Sequence, residues 1–131
     1  MAVVPTLSDD MAGASALAVF DDIRAKRQTD YVNNFWRALA ADPALLSATW
    51  DRLQAVMAPG ALDPLTKELI YIAVSVANGC SYCIHSHTAA ARARGMTDAQ
   101  RGELMAVIAM ASQTNALATA LQVDVDDRFR V

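Results

Sequence analysis

The sequence predicts an all-α fold, an antiparallel bundle of about six or seven helices. Three observations predict it. Apolar residues recur at helical spacing along most of the 131-residue chain. Start and stop signals punctuate those stretches: Asp42-Pro43, Asp63-Pro64 and Thr97-Asp98-Ala99-Gln100 open them, and Pro59-Gly60, Asn78-Gly79 and Gly95 close them. No segment alternates apolar and polar residues as a half-buried strand would, and no internal repeat is found. The length fits one domain over residues 1–131, with 1–10 and 124–131 as tails.

Residues 1–10 form a short polar lead with Pro5, read as a flexible or loosely docked arm. Ser8, Asp9 or Asp10 is placed to cap a first helix over 11–27. Ala14, Leu17, Ala18 and Ile23 are its apolar positions, and Arg24, Lys26 and Arg27 occupy the last turn, where cations suit the helix dipole. Asp30 is placed to cap a second helix over 31–41, which carries Tyr31, Phe35, Trp36 and Leu39. This aromatic stripe reads as core or subunit interface; the alternative makes Phe35 and Trp36 the lining of an apolar substrate pocket.

Asp42-Pro43 starts a third helix, running to about residue 57, with Leu45, Leu46, Thr49, Trp50, Leu53 and Val56 facing inward. Asp63 as N-cap and Pro64 at the first helical position then open a nearly wholly apolar stretch, 65–78, which reads as a buried helix. Gly79 tolerates the left-handed conformation that ends it. A partner helix starts at Cys80 or Ser81 and runs to Arg94. The last long helix begins at the Thr97 capping box and carries Leu104, Val107, Ile108 and Ala111. Residues 112–115 weaken its pattern and mark an expected kink or break before 116–123 resumes it; the mixed-charge tail 124–131 frays or docks on a neighbour.

Composition narrows the function classes. The net charge of -3 comes without a basic stripe of the kind that neutralises phosphates, so nucleic acid is not an expected partner. No uninterrupted apolar run reaches the ~18 residues of a spanning helix, and no basic n-region with an apolar core opens the chain. A cytoplasmic setting without a membrane partner is therefore expected. In that reducing compartment a C-x2-C pair is catalytic or metal-binding more often than structural. No G-x-G-x-x-G after a strand and no P-loop is present, so no cofactor is expected.

The reactive chemistry is concentrated in residues 68–87, which hold both cysteines, both histidines and one of the two glutamates. The spacing is E-x11-C-x2-C-x3-H, with Glu68, Cys80, Cys83 and His87 as fixed points. At about 100° per residue, Cys80, Cys83 and His87 fall within roughly 60° on one helix face, and His85 points the other way. His87 follows Cys83 by one turn, which suits a base that takes a thiol proton. The helix start favours an anion, and two cysteines at this spacing can close a disulfide. Glu68, near the start of the preceding helix, is placed to orient His87 if the two helices pack as a hairpin.

At these residues the chain resembles the carboxymuconolactone decarboxylase-like superfamily, and within it the alkylhydroperoxidase AhpD type. The resemblance rests on Glu68, Cys80-Ser81-Tyr82-Cys83 and His87, and extends more loosely over about residues 33–121, where Asp42-Pro43-Ala44-Leu45 and Trp50 precede the motif. It implies an all-helical, oligomeric protein, often a trimer or hexamer. It also implies reduction of hydroperoxides through the cysteine pair, with recycling by an external dithiol such as a lipoyl-bearing or thioredoxin-like protein. That type often carries a histidine between the cysteines, where this chain has Tyr82, a further candidate for shaping the substrate mouth. Helices bearing tryptophan or phenylalanine in so small a chain also suit a homo-oligomer. Two rival readings stay open: a cysteine-independent, decarboxylase-like enzyme on the same scaffold, and a zinc-binding or redox-sensing module without turnover, in which Cys80, Cys83 and His87 would be ligands.

Overall fold

The computed structural model describes residues 2–130, which contain six α-helices, one short 3-10 turn at Asp127–Phe129 and no strand. The helices are α1 (Ala14–Arg27), α2 (Asn34–Leu39), α3 (Pro43–Met57), α4 (Pro64–Ala77), α5 (Ser81–Ala93) and α6 (Asp98–Leu121). The all-α expectation holds. The chain divides into two compact units, Met1–Ala58 and Pro59–Val131, at the Pro59-Gly60 break.

In the first unit, α1 buries Ala16, Phe20 and Ile23, spaced i, i+4 and i+7, so that one stripe faces inward. Trp36 of α2 and Leu46 and Trp50 of α3 complete this core with Val32 and Ala40. Trp36 and Trp50 meet edge to face at 5.3 Å. The buried indole of Trp50 keeps its N–H satisfied by donating to Asp22 Oδ2 at 2.7 Å. The Arg27 guanidinium lies over both indoles, 5.8 Å and 5.1 Å from their centroids.

Two boundaries here differ from expectation. α1 begins at Ala14 with Gly13 as its N-cap, and none of Ser8, Asp9 and Asp10 caps it. The Ser8 carbonyl accepts the N–H groups of Met11 and Ala12 in a turn. Asp9 is drawn into ion pairs with Arg24 at 2.6 Å and Arg37 at 3.0 Å. Leu7 exchanges a further pair of hydrogen bonds with Arg37, so the distal part of the arm is docked. α2 is only six residues long. Asp30 is not its cap; the Asp30 carbonyl accepts from Arg24, while Asn33, at the N-cap, gives its side-chain oxygen to Arg27. Met1 and Val131, the ends of the two expected tails, lie outside the described residues.

The second unit is built on the α4–α5 hairpin. Asp63 caps α4 by accepting the Thr66 N–H at 3.0 Å, and Pro64 follows at the first helical position. Gly79, at φ 66°, ends α4, and the Cys80 N–H reaches back to the Ser75 carbonyl at 2.9 Å. Gly95, at φ 92°, ends α5 in the same way, with the Met96 N–H on the Ala91 carbonyl at 3.0 Å. Ile72, Ala91 and Met96 form the small core, supported by Leu65, Leu69, Val76 and Leu104.

α6 starts at the expected capping box, with Thr97 Oγ1 accepting from the Gln100 N–H and Gln100 Oε1 accepting from the Thr97 N–H. The break expected at 112–115 is absent. Thr114 turns its hydroxyl back onto the Met110 and Ala111 carbonyls, each at 3.1 Å, and the polar residues ride on a continuous helix. α6 is long and apolar enough, by length and composition, to cross a membrane, and none of its residues is buried. Inspection of uninterrupted apolar runs overlooks this because Glu103 and residues 112–115 divide the pattern. The same composition suits a helix covered by another protein surface.

The docked arm has an acid-sensitive anchor. The hydrogen bond from Arg24 is the main cause that holds the Asp9 carboxyl below the usual carboxylate range, with Arg37 adding to it and burial partly opposing it. A carboxyl depressed in the folded state stabilises above its unfolded-state pKa, and that stabilisation disappears as pH falls through the folded value. The wild-type protein is therefore expected to lose more thermal stability between about pH 5 and pH 2 than Asp9→Asn, as measured by melting followed with circular dichroism. Parallel losses in the two proteins would contradict this anchoring.

Candidate active site

Glu68 lies one turn into α4, on the face that packs against α5, and is 4% exposed. A buried carboxylate is costly unless each oxygen finds a partner. Here both do. Oε2 accepts from His87 Nδ1 at 2.7 Å, and Oε1 accepts from Arg94 Nε at 3.3 Å. An ionised carboxylate only accepts, so the Nδ1 of His87 carries the proton of this bond, and in the neutral ring the lone pair then lies at Nε2. The carboxylate thus selects the tautomer that leaves a base on the far side of the ring.

The imidazole plane is fixed as well. Tyr71, three residues after Glu68 and so on the same face of α4, stacks on His87 with centroids 3.6 Å apart and planes 18° from parallel. His87 sits one turn beyond Cys83 on α5. Cys80 and Cys83 are joined by a disulfide, with Cα atoms 5.4 Å apart. Cys80 is the N-cap of α5, and its sulfur accepts the Cys83 N–H at 3.3 Å. This first-turn N–H and the helix dipole favour negative charge on the Cys80 sulfur.

The four residues singled out by spacing are thus arranged as two bonded pairs on adjoining elements, Glu68 with His87 and Cys80 with Cys83. His85 is excluded from this stripe, and its Nδ1 lies 2.8 Å from the Ser81 carbonyl of its own helix. Tyr82 is partly exposed beside the cysteines. Phe35 and Trp36 belong to the first unit, Trp36 within its core and Phe35 partly exposed. An open cleft of about 670 Å³ also lies in the first unit, lined by Asp22, Trp50 and Asp51 among others, and no cysteine or histidine lines it. Among the described residues, no group of three or more His, Cys, Asp or Glu side chains is disposed to hold a metal ion.

Two members of the cluster escape a reading by motif, Arg94 and Tyr71. Arg94 follows His87 by seven residues, two turns along the same stripe, and Tyr71 follows Glu68 by three. Those spacings are the signals that would have found them.

Comparison with known proteins identifies the family. The crystal structure of the alkylhydroperoxidase AhpD core from Rhodospirillum rubrum matches with a TM-score of 0.96 at 60% sequence identity, covering 100% of this chain and 98% of that one. Uncharacterized protein 4 of the cox locus of Paracoccus denitrificans is 38% identical over 76 residues, 53% of this chain and 68% of that protein. The alkyl hydroperoxide reductase AhpD of Solibacter usitatus is 36% identical over 75 residues, 57% of this chain but only 40% of that longer protein. The model of the carboxymuconolactone decarboxylase family matches residues 43–126, nearly two thirds of the sequence. The chain belongs to the carboxymuconolactone decarboxylase family and has the alkylhydroperoxidase-type scaffold.

Proposed function

We propose that this protein is a cytoplasmic enzyme that reduces organic hydroperoxides through a dithiol/disulfide cycle at Cys80 and Cys83. The observation that carries the reading is the 2.7 Å Glu68–His87 hydrogen bond, which supports Nε2 of the neutral ring as the base, on a residue one turn from Cys83. Relatives named for alkyl hydroperoxide reduction support it.

In this cycle His87 takes the proton of Cys83. The Cys83 thiolate attacks the distal oxygen of the hydroperoxide, the O–O bond breaks, and the departing alkoxide takes the proton back from His87. The products are an alcohol and a sulfenic acid on Cys83. The Cys80 thiol then attacks the Cys83 sulfur; the S–O bond breaks, the departing hydroxyl takes the Cys80 proton and leaves as water, and a disulfide forms. An external dithiol, lipoyl-bearing or thioredoxin-like, supplies two electrons and two protons to reopen the disulfide. Tyr82, exposed and between the cysteines in sequence, is the residue proposed to shape the substrate mouth.

The assembly proposed with this activity is a homo-oligomer, a trimer or hexamer, built on the single 131-residue domain. Its support is the apolar surface that the second unit leaves uncovered: Ile70 and Val74 on α4, and Val107, Met110, Leu117 and Leu121 on α6. Light scattering on a size-exclusion column is expected to give a mass of three or six chains; a monomer unchanged by dilution would contradict it.

The activity is tested by rapid mixing of reduced protein with an organic hydroperoxide. His87→Ala is expected to slow thiol loss by about 10²-fold, the usual share of a positioned base. A dimedone-type probe is expected to trap the sulfenic acid on Cys83 in a Cys80→Ser variant. Wild-type kinetics in His87→Ala would remove the base from the cycle, and trapping on Cys80 in Cys83→Ser, with none on Cys83 in the converse variant, would exchange the roles of the two cysteines.

A further inference from the structure

We infer that Arg94 is a positioning residue of this site, acting on His87 through Glu68; the inference rests on the proposed dithiol chemistry for its functional meaning. The argument begins with burial. The Glu68 side chain is 5% exposed, and a carboxylate removed from water requires both a counter-charge and partners for its oxygens. His87 meets only one oxygen, Oε2. With that contact alone the carboxyl group remains free to turn about its last side-chain bond, and the neutral imidazole brings no counter-charge. Arg94 supplies both missing elements. Its Nε donates to Oε1, which fixes the carboxylate plane with Oε2 toward Nδ1, and its guanidinium carries a permanent positive charge. The ion pair therefore supplies the counter-charge that a neutral imidazole lacks and holds Oε2 on Nδ1, the arrangement in which a neutral ring has its lone pair at Nε2.

The backbone holds Arg94 where this requires. Arg94 is the C-cap of α5, with its N–H on the Ala90 and Ala91 carbonyls. Gly95, in the left-handed conformation, turns the chain immediately afterwards and ties Met96 back to Ala91. Seven residues from His87, the guanidinium lies along the same stripe of α5 and reaches the far oxygen of the same carboxylate. The neighbouring charges are engaged elsewhere: Arg92 and Arg101 both face Asp98, at 3.6 Å and 3.8 Å. The groups facing the His87 ring are Glu68 and Tyr71 from α4, with Cys83 one turn before it on α5.

The test uses the full chain with uniformly 15N-labelled histidine, in a His85→Gln background so that one imidazole is observed. Wild-type Arg94 is expected to give a protonated Nδ1 and an unprotonated Nε2. Arg94→Ala is expected to lose this fixed tautomer and to slow hydroperoxide-driven thiol loss by about tenfold, the lower end of what removal of a histidine-orienting partner costs. Its melting temperature is expected to fall, because Oε1 of the buried carboxylate loses its partner, so spectrum and rate are compared at a temperature where both proteins are folded. Arg94→Lys is expected to recover the ring signature and most of the rate. An Arg94→Ala protein with the wild-type imidazole spectrum and rate would overturn the inference; if that variant fails to fold, Arg94→Gln, which keeps a donor but no charge, is judged by the same two readouts. A wild-type protein that does not react with hydroperoxide would defeat the proposed function, while the imidazole spectra would still decide whether Arg94 orients His87.

Discussion

A buried carboxylate organises the second half of this protein. Glu68 lies inside the α4–α5 hairpin, and its two oxygens take partners from two places on α5 separated by two helical turns. That requirement ties the register of one helix to the other. Sliding α5 by a single residue would rotate His87 and Arg94 off the shared stripe by about 100° and strand the carboxylate without partners. The apolar contacts around Ile72, Ala91 and Met96 are non-directional, so they bring the helices together without fixing such a register. The polar cluster is therefore specific where the small core is merely adhesive, and it fixes the helix that carries both cysteines.

The first unit has a different logic. Its core is larger and aromatic, and its polar groups serve structure: Asp22 receives the Trp50 indole N–H, Arg27 covers the two tryptophan rings, and Asp9 fastens the N-terminal arm to α1 and α2. None of these groups is a nucleophile or a base in an unusual setting. The division of labour suits a chain whose reactive side chains occupy one stretch of twenty residues.

Much of this was legible in the sequence, because helical spacing turns residue intervals into faces. The intervals from Cys80 to Cys83 to His87 placed all three on one stripe, and Asp63-Pro64 and Asn78-Gly79 bounded the helix that brings Glu68 to it. Caps closed by neighbours three residues away, at Asp42, Asp63 and Thr97, were equally readable. What escaped depends on partners distant in the chain. Asp9 has the chemistry of a helix cap, but arginines fifteen and 28 residues away claim it. Arg94 looks like an ordinary cation at a helix end until Glu68, 26 residues earlier, is seen to use it. Tyr71 is hidden in an apolar run in which every residue looks like core. The expected break in α6 failed for a local reason, since a threonine hydroxyl can return to its own helix rather than interrupt it.

The central claim is that the Cys80–Cys83 bond is the working half of a redox cycle rather than a fixed staple. The most direct measurement is a free-thiol count on the reduced, metal-free protein before and after stoichiometric organic hydroperoxide, followed by peptide mapping. A rapid fall from two thiols to none, with an intramolecular Cys80–Cys83 disulfide recovered, is the predicted result. Two thiols that survive for hours would contradict the account and turn attention to a cysteine-independent reaction on this scaffold.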